Sequence, residues 1–302
     1  MSHIETIWAA KLAKPHTQKQ AITYRRERWT APDNDFVDVD FLVSRPPANA
    51  PLWVMFHGLE GSSQSHYARA FARYAQEQNL RFCVPHFRGC SGEINLAPRA
   101  YHSGDWQEID WILRRVKAEQ EKQGHTGEVY AIGISLGGNA LMRWAGEMGE
   151  TASHVIRGAV SICSPLDLMA SGFHLGRGLN RHIYTPMFLR SMKPRALQKL
   201  AQYPSLFDKQ KMLASRDLYE FDNVVTAPVH GFKNTEDYWA RASAKPHLAN
   251  IQIPALAINA LNDPFIPADS LPKRHEVGQY VRLWQPQHGG HVGFAADYLK
   301  HF

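Results

Sequence analysis

A serine hydroxyl is a poor nucleophile near neutrality, so it needs a base to take its proton and an acid to orient that base. Three short stretches of this chain carry those residue types in a usable order. Gly133-Ile-Ser135-Leu-Gly137 offers the serine, Asn262-Asp263-Pro264 an acid, and His288-Gly-Gly-His291 a histidine. Serine, then acid, then histidine is the chain order used where the nucleophile sits on a turn between a strand and a helix. The chemistry implied is acyl transfer through a covalent serine intermediate.

The serine stretch supports that reading locally. Val129, Tyr130, Ala131, Ile132 and Ile134 run with almost no alternation, as in a strand buried on both faces. Asn139 to Gly146 reads as a helix, so Ser135 falls on a tight strand-to-helix turn. Gly133 and Gly137 lack the side chains that would collide there, and Gly138 lets helix and strand approach closely. The turn also sets the Leu136 N–H at a helix N-terminus, where it can donate to an oxyanion. A second donor is expected from Leu59, because Gly58 lets the chain turn sharply where the strand Pro51 to Phe56 ends.

Each choice has a rival. His291 is preferred to His288 because it lies beyond two glycines, where the backbone can bring an imidazole over the sheet edge. Among 16 histidines, one near the C-terminus proves little by itself. Asp263 competes with Asp167 and Asp269, and its place immediately after a strand favours it. His57 is expected to shape the strand end and not to act as a base.

The elements that must position these residues alternate between strand and helix, which predicts a mostly parallel sheet with helices on both faces. Ile22 to Trp29 and Phe36 to Val43 read as an antiparallel hairpin at a sheet edge, with Asp38 and Asp40 facing outward. Ser65 is expected to cap a helix from His66 to Gln78, and Ser103-Gly-Asp105 to start another. Strands follow at Leu80 to Val84, Val155 to Ile162, Pro254 to Ala260 and Tyr280 to Trp284. Residues 166–248 hold amphipathic helical pieces, Pro186 to Met192, Ala196 to Tyr203 and Asp208 to Ala214, and no buried strand. They read as a helical cap inserted into a single domain of residues 1–302. An amphipathic piece from Ile4 to Leu12 and a last helix from Phe294 to Lys300 complete the expected elements. Ligands of such sheets bind beyond the carboxyl ends of the strands, where every candidate chemical residue falls.

Composition narrows the class. A chain of 302 residues with 44% hydrophobic and 21% charged residues builds a sizeable globular core. The net charge of +6 is spread over scattered basic residues. That argues against a nucleic-acid footprint and leaves room only for weak association with an acidic membrane surface. Three cysteines without close pairing fit a reducing compartment. Cys83, His86 and Cys90 lack a fourth ligand at zinc spacing, so no metal is expected. The N-terminal residues do not read as a signal peptide and no run reaches the length of a membrane span, so a cytoplasmic location is expected.

At this point the chain resembles a known family, the α/β-hydrolases of the YheT/ABHD1–ABHD3 type. That group includes bacterial esterase-like proteins and eukaryotic membrane-associated lipid hydrolases. The resemblance runs through His57 to Ser63, Phe87 to Gly92, Gly133 to Asn139, Ala227 to Phe232, Asn262 to Phe265 and His288 to Phe294, nearly the whole chain. It implies the α/β-hydrolase fold, with nucleophile, acid and base on Ser135, Asp263 and His291. The expected activity is hydrolysis of a small-molecule or lipid carboxylic ester through an acyl-enzyme, without metal or organic cofactor. Thioester or amide hydrolysis, and a non-catalytic binding protein on the same fold, are the alternatives. Of Phe173, Leu175, Leu179, Ile183, Met187, Phe188 and Leu189, most are expected to cover the cap's own small core and several to face Ser135 as an acyl-binding wall.

Overall fold

The computed structural model describes residues 21–294, so the piece expected at 4–12 and all but the first residue of the helix expected at 294–300 lie outside the described residues. One eight-stranded sheet runs in the order β1-β2-β4-β3-β5-β6-β7-β8. Its strands are β1 (Tyr24–Thr30), β2 (Phe36–Leu42), β3 (Leu52–Phe56), β4 (Arg81–Pro85), β5 (Val129–Ile134), β6 (Gly158–Ile162), β7 (Ala255–Ile258) and β8 (Val281–Trp284). The β1–β2 and β2–β4 pairings are antiparallel, and every other pairing is parallel. From β3 the chain moves outward to β4, then returns to lay β5 on the other side of β3. That reversal opens a crevice at the carboxyl ends of β3 and β5, the place where open α/β sheets bind ligands.

Helices cover both faces. On one, α1 (His66–Glu77) buries Ala68, Ala72 and Ala75 against Met55, Phe82, Val84, Ile132 and Ile134. On the other, α2 (Trp106–Lys122) and α3 (Leu136–Met148) bury Ile109, Ile112, Leu113, Leu141 and Trp144 against Val54, Phe56 and Ala131. Each of the large side chains contributes about 1.5–3 kcal/mol by leaving water, which fixes the sheet between two apolar layers. Ser65 precedes α1 but does not cap it with its side chain; its hydroxyl instead accepts the Ser62 N–H at 3.0 Å.

Between β6 and β7 the described elements are all helical. They comprise α4 (Leu168–Leu175), α5 (Gly178–Gln202), α6 (Lys209–Ala214), α7 (Leu218–Phe221), a π-helical turn (Asp222–Thr226), α8 (Ala227–Val229), α9 (Thr235–Ala242) and a 3-10 helix (Lys245–Asn250). Two pieces expected as separate helices, Pro186 to Met192 and Ala196 to Tyr203, are parts of the single helix α5, which passes through Pro186 and Pro194. Each proline removes one N–H and releases the carbonyl four residues earlier. Those carbonyls belong to His182 and Arg190, both exposed, so water can replace the missing donor. Among the described residues no helix is long and apolar enough to cross a membrane.

The expectation that Asp38 and Asp40 face solvent is overturned: they are only 1% and 3% exposed. Strand β2 is not at the edge; β1 flanks it, and the register sets Arg28 opposite Asp38 and Arg26 opposite Asp40. Each guanidinium grips its carboxylate with two hydrogen bonds of 2.7–2.9 Å. Asp40 also accepts from Ser63 Oγ at 2.6 Å and pairs with His86 Nε2 at 2.9 Å, tying β2 to the loops after β3 and β4. Burial opposes that charge, but these donors prevail and hold the Asp40 carboxyl well below the usual range. We predict that Asp40→Ala lowers the unfolding free energy by about 3 kcal/mol, because His86 and Ser63 are left buried without their acceptor. Urea denaturation of the two proteins checks this; a loss below about 1 kcal/mol would mean the cluster is as weak as a surface pair.

Candidate active site

The turn between β5 and α3 holds Ser135 at φ 52° and ψ −119°, a left-handed backbone that a residue with a Cβ rarely adopts. Glycines make it possible. A Cβ on Gly133 would come within 2.4 Å of Gly138 Cα, one on Gly137 within 2.4 Å of the Phe56 carbonyl, and one on Gly138 within 1.9 Å of Ser164 Oγ. The Ser135 N–H donates to the Ile162 carbonyl of β6 at 2.9 Å, while its own carbonyl accepts from Gly138 and Asn139. Strand, helix and neighbouring strand thus over-determine the strained residue.

Chain elements far apart in sequence converge on its hydroxyl. His291 Nε2 lies 3.0 Å from Ser135 Oγ, and His291 Nδ1 lies 2.9 Å from Asp263 Oδ2. Asp263 is buried; its other oxygen accepts the Phe265 N–H at 2.8 Å. With Nδ1–H donating to the carboxylate, Nε2 is left to accept from the serine. The rival acids lie elsewhere in the bonding pattern. Asp167 caps α4 by accepting the Ala170 N–H, and Asp269 belongs to a short 3-10 turn.

His57 is not available as a base. Its Nε2 accepts the Phe87 N–H at 3.0 Å, so the proton sits on Nδ1, which donates to the Gly58 carbonyl at 2.8 Å. Both nitrogens are used, and burial pushes its pKa down to about 3. The histidine therefore fixes the bend after β3. A Cβ added to Gly58 would lie 3.3 Å from Ser135 Cβ, so this bend presses directly on the elbow. Leu59 and Leu136 line the same cavity as Ser135, and Leu136 is the first residue of α3.

A cavity of about 170 Å³ opens on Ser135, Leu59 and Leu136. Of the seven apolar residues from which several are expected to wall it, only Phe188 does so. Phe173, Leu179, Ile183 and Met187 are 38%, 66%, 41% and 53% exposed, and Leu175 and Leu189 fill small cores of the helical segment. The lining comes instead from Leu168, Met192, Phe207, Leu218, Val225 and Trp239. Apolar pattern alone could not tell these sets apart, because a short segment without a sheet exposes large residues on its outer face as well.

Several side chains around the site carried no assigned role in the sequence. Asn139 donates to the Ser103 and Ala242 carbonyls at 2.8 Å each and accepts the Ala244 N–H at 2.9 Å, locking α3 to two loops. The Phe265 ring stacks on His291 at 4.1 Å. Asn262 Oδ1 accepts the Gly290 N–H at 2.9 Å. Their only sequence signal was adjacency to the chemical residues.

A serine on a strained strand-to-helix turn of a mostly parallel sheet, with an acid and a histidine following later strands, is a combination that defines one fold class. The chain belongs to the alpha/beta hydrolase fold family, which matches residues 51–297. It is 38% identical over 280 residues to YheT of Escherichia coli (strain K12), covering 91% of this chain and 80% of that one. It is 27% identical to a Saccharomyces cerevisiae protein named monoacylglycerol lipase, over 82% of this chain and 55% of the yeast protein. Among solved structures, the Pyrococcus furiosus esterase Pf2001 superposes with a TM-score of 0.58 at 15% identity, over 92% of this chain and 87% of that one, a likeness of fold.

The buried neutral His57 generates a pH prediction. Its folded pKa of about 3 lies below the ordinary 6.5, so as pH falls the unfolded chain binds a proton that the folded chain refuses. Stability linked to this group is complete above about 6.5 and falls by up to about 1.4 kcal/mol per pH unit down to about 3. His57→Gln should flatten that part of the urea-unfolding profile relative to the unsubstituted protein. Parallel profiles between pH 7 and 4 would mean His57 does not stay neutral.

Proposed function

We propose that this protein is a serine hydrolase of carboxylic esters working through an acyl-enzyme, with Ser135 as nucleophile, His291 as base and Asp263 as its orienting acid. The observation that carries the reading is the continuous chain Ser135 Oγ, His291, Asp263, with links of 3.0 and 2.9 Å. His291 Nε2 takes the hydroxyl proton as Oγ attacks the ester carbonyl, and the Leu59 and Leu136 N–H groups hold the developing oxyanion. The tetrahedral intermediate collapses, and His291 returns the proton to the departing alkoxide. Water, deprotonated by His291, repeats the attack and releases the acid. Substrate, water and these side chains account for every proton and electron pair.

The helices between β6 and β7 act in this reading as a cap inserted into a single domain, and the cavity beneath them takes the acyl chain. A mostly apolar lining suits an ester of a fatty acid, and the yeast relative named monoacylglycerol lipase supports a lipid ester as substrate.

Ser135→Ala should abolish ester hydrolysis and labelling by a fluorophosphonate probe while leaving thermal unfolding intact; retained turnover would remove the serine from the mechanism. Asp263→Asn should keep the shape but favour the wrong histidine tautomer, lowering kcat by about 10⁴ as in serine proteases. An undiminished Asp263→Asn alongside a crippled Asp167→Asn would transfer the role of the acid.

Acyl length supplies the third test. Each methylene buried is worth about 0.8 kcal/mol, about fourfold in kcat/KM, so the value should climb from acetyl toward medium-chain esters. Met192→Gln should flatten that climb, whereas Leu179→Gln and Met187→Gln on the exposed face of α5 should not. A profile that peaks at acetyl would place the acyl group outside this cavity.

A further inference from the structure

The thiol of Cys163 takes no part in the chemistry just described, yet it touches the backbone on both sides of the base. Cys163 is the first residue beyond β6, is fully buried, and has φ 49°. The Val292 N–H donates to its sulfur at 3.3 Å, and the thiol donates to the Gly290 carbonyl at 3.7 Å. Its sulfur lies within 4.8 Å of the side-chain atoms of Asp263 and His291 that face it. Burial pushes the thiol well above its ordinary pKa, so it keeps the proton it needs to donate while accepting.

The stretch it touches needs such help. β8 ends at Trp284, and residues 289–292 belong to no helix or strand. Gly290 and Val292, on either side of His291, have φ 56° and 58°. For a β-branched residue such as Val292 that conformation is strained and persists only where neighbours impose it. Holds on this loop from elsewhere in the chain include Asn262 on the Gly290 N–H, Cys163 on the Gly290 carbonyl and the Val292 N–H, His66 on the Val292 backbone, and Asp263 with Phe265 on the imidazole itself. Of these, the thiol alone is bonded to peptide units both before and after His291.

We propose that Cys163 is a positioning residue: its thiol fixes the two peptide units flanking His291 and so sets the angle at which the imidazole meets Ser135 and Asp263. The proposal rests on the reading of His291 as the base. The plainer role for a buried cysteine is to fill space as a small apolar group. Alanine and serine separate the two roles. Both are small and have a Cβ in the same left-handed backbone, but only serine can accept from Val292 and donate to Gly290.

The test compares Cys163→Ala and Cys163→Ser with the unsubstituted chain. One readout is kcat and KM for p-nitrophenyl butyrate per site titrated by a fluorophosphonate, so that loss of folded protein does not enter. The other is the low-field proton resonance of the Nδ1–H between His291 and Asp263, assigned by its disappearance in His291→Gln. We expect Cys163→Ala to lower kcat about tenfold with KM within about twofold, the scale of a small misplacement of a catalytic group. Cys163→Ser should restore most of that loss. The resonance should be sharp in the unsubstituted protein and in Cys163→Ser, and shifted or broadened in Cys163→Ala. Equal kcat in the two variants, or an unchanged resonance in Cys163→Ala, would overturn the proposal. If the unsubstituted chain neither cleaves esters nor reacts with the probe, the hydrolase reading fails; the resonance still decides whether Cys163 positions His291.

Discussion

The left-handed backbone of Ser135 is the constraint on which the other features of this molecule depend. A residue held at φ 52° and ψ −119° stores about 1–3 kcal/mol, which surrounding contacts must offset. The offset comes from packing too close for any other residue type. Gly133 meets Gly138, Gly137 meets the end of β3, and Gly138 meets two serines on and beyond β6. Asn139 completes the clamp by tying α3 to the loops at Ser103 and Ala242 to Ala244. The central strand, the helix after it and the two strands beside it are thus fixed relative to one hydroxyl.

Two histidines at strand ends show how surroundings decide a role that residue type leaves open. Both imidazoles have a partner for each nitrogen. Around His57 the partners are a backbone N–H and a backbone carbonyl, which fix one neutral tautomer inside an apolar layer beside Phe87. Around His291 they are a carboxylate and a hydroxyl. The first pair only holds shape, because neither backbone group can exchange a proton in a reaction. The second pair offers a proton to receive and a charge to balance it, which acyl transfer requires. Both histidines follow strands, and the sequence already sets His57 apart as a residue that shapes the strand end. The identity of its partners supplies the physical reason.

The sheet was legible where burial is two-sided. β3, β4, β5 and β6 are interior strands of short apolar runs, and their ends fell within a few residues of the expected ones. The acidic strand β2 departs from expectation because its alternation does not mark a wet face. Its carboxylates face arginines two residues apart on β1, and the matching alternation in Arg26 and Arg28 was the signal that could have shown it. The helical segment was legible as helical and illegible in detail. Proline reads as a break when context is unknown, but α5 carries two, because the carbonyls they release belong to exposed residues. Which apolar side chains look inward depends on how α4 to α9 pack together, and no local period encodes that.

The same segment shows why an apolar cavity is not held together by apolar contacts alone. Helix α5 contributes Met192 and Ala196 to the lining, but it is fastened from the same stretch by two cations. Arg195 pairs with Glu60 at 3.2 Å and donates to Cys90 Sγ at 2.8 Å. Lys199, almost fully buried, donates to the carbonyls of Asn95 and Ala97 at 2.6 and 2.7 Å, and burial lowers its pKa to about 8. Glu60 in turn bonds the Tyr101 hydroxyl with both its N–H and its carboxylate, and it directly follows Leu59. A helix that shapes the cavity is therefore anchored to the very turn that carries Leu59, which lines the same cavity as Ser135. Apolar packing is non-directional and would tolerate α5 sliding along its groove. Hydrogen bonds to a carboxylate and to fixed carbonyls do not tolerate it, so polar groups set the position of the helix and apolar groups set what fits beneath it.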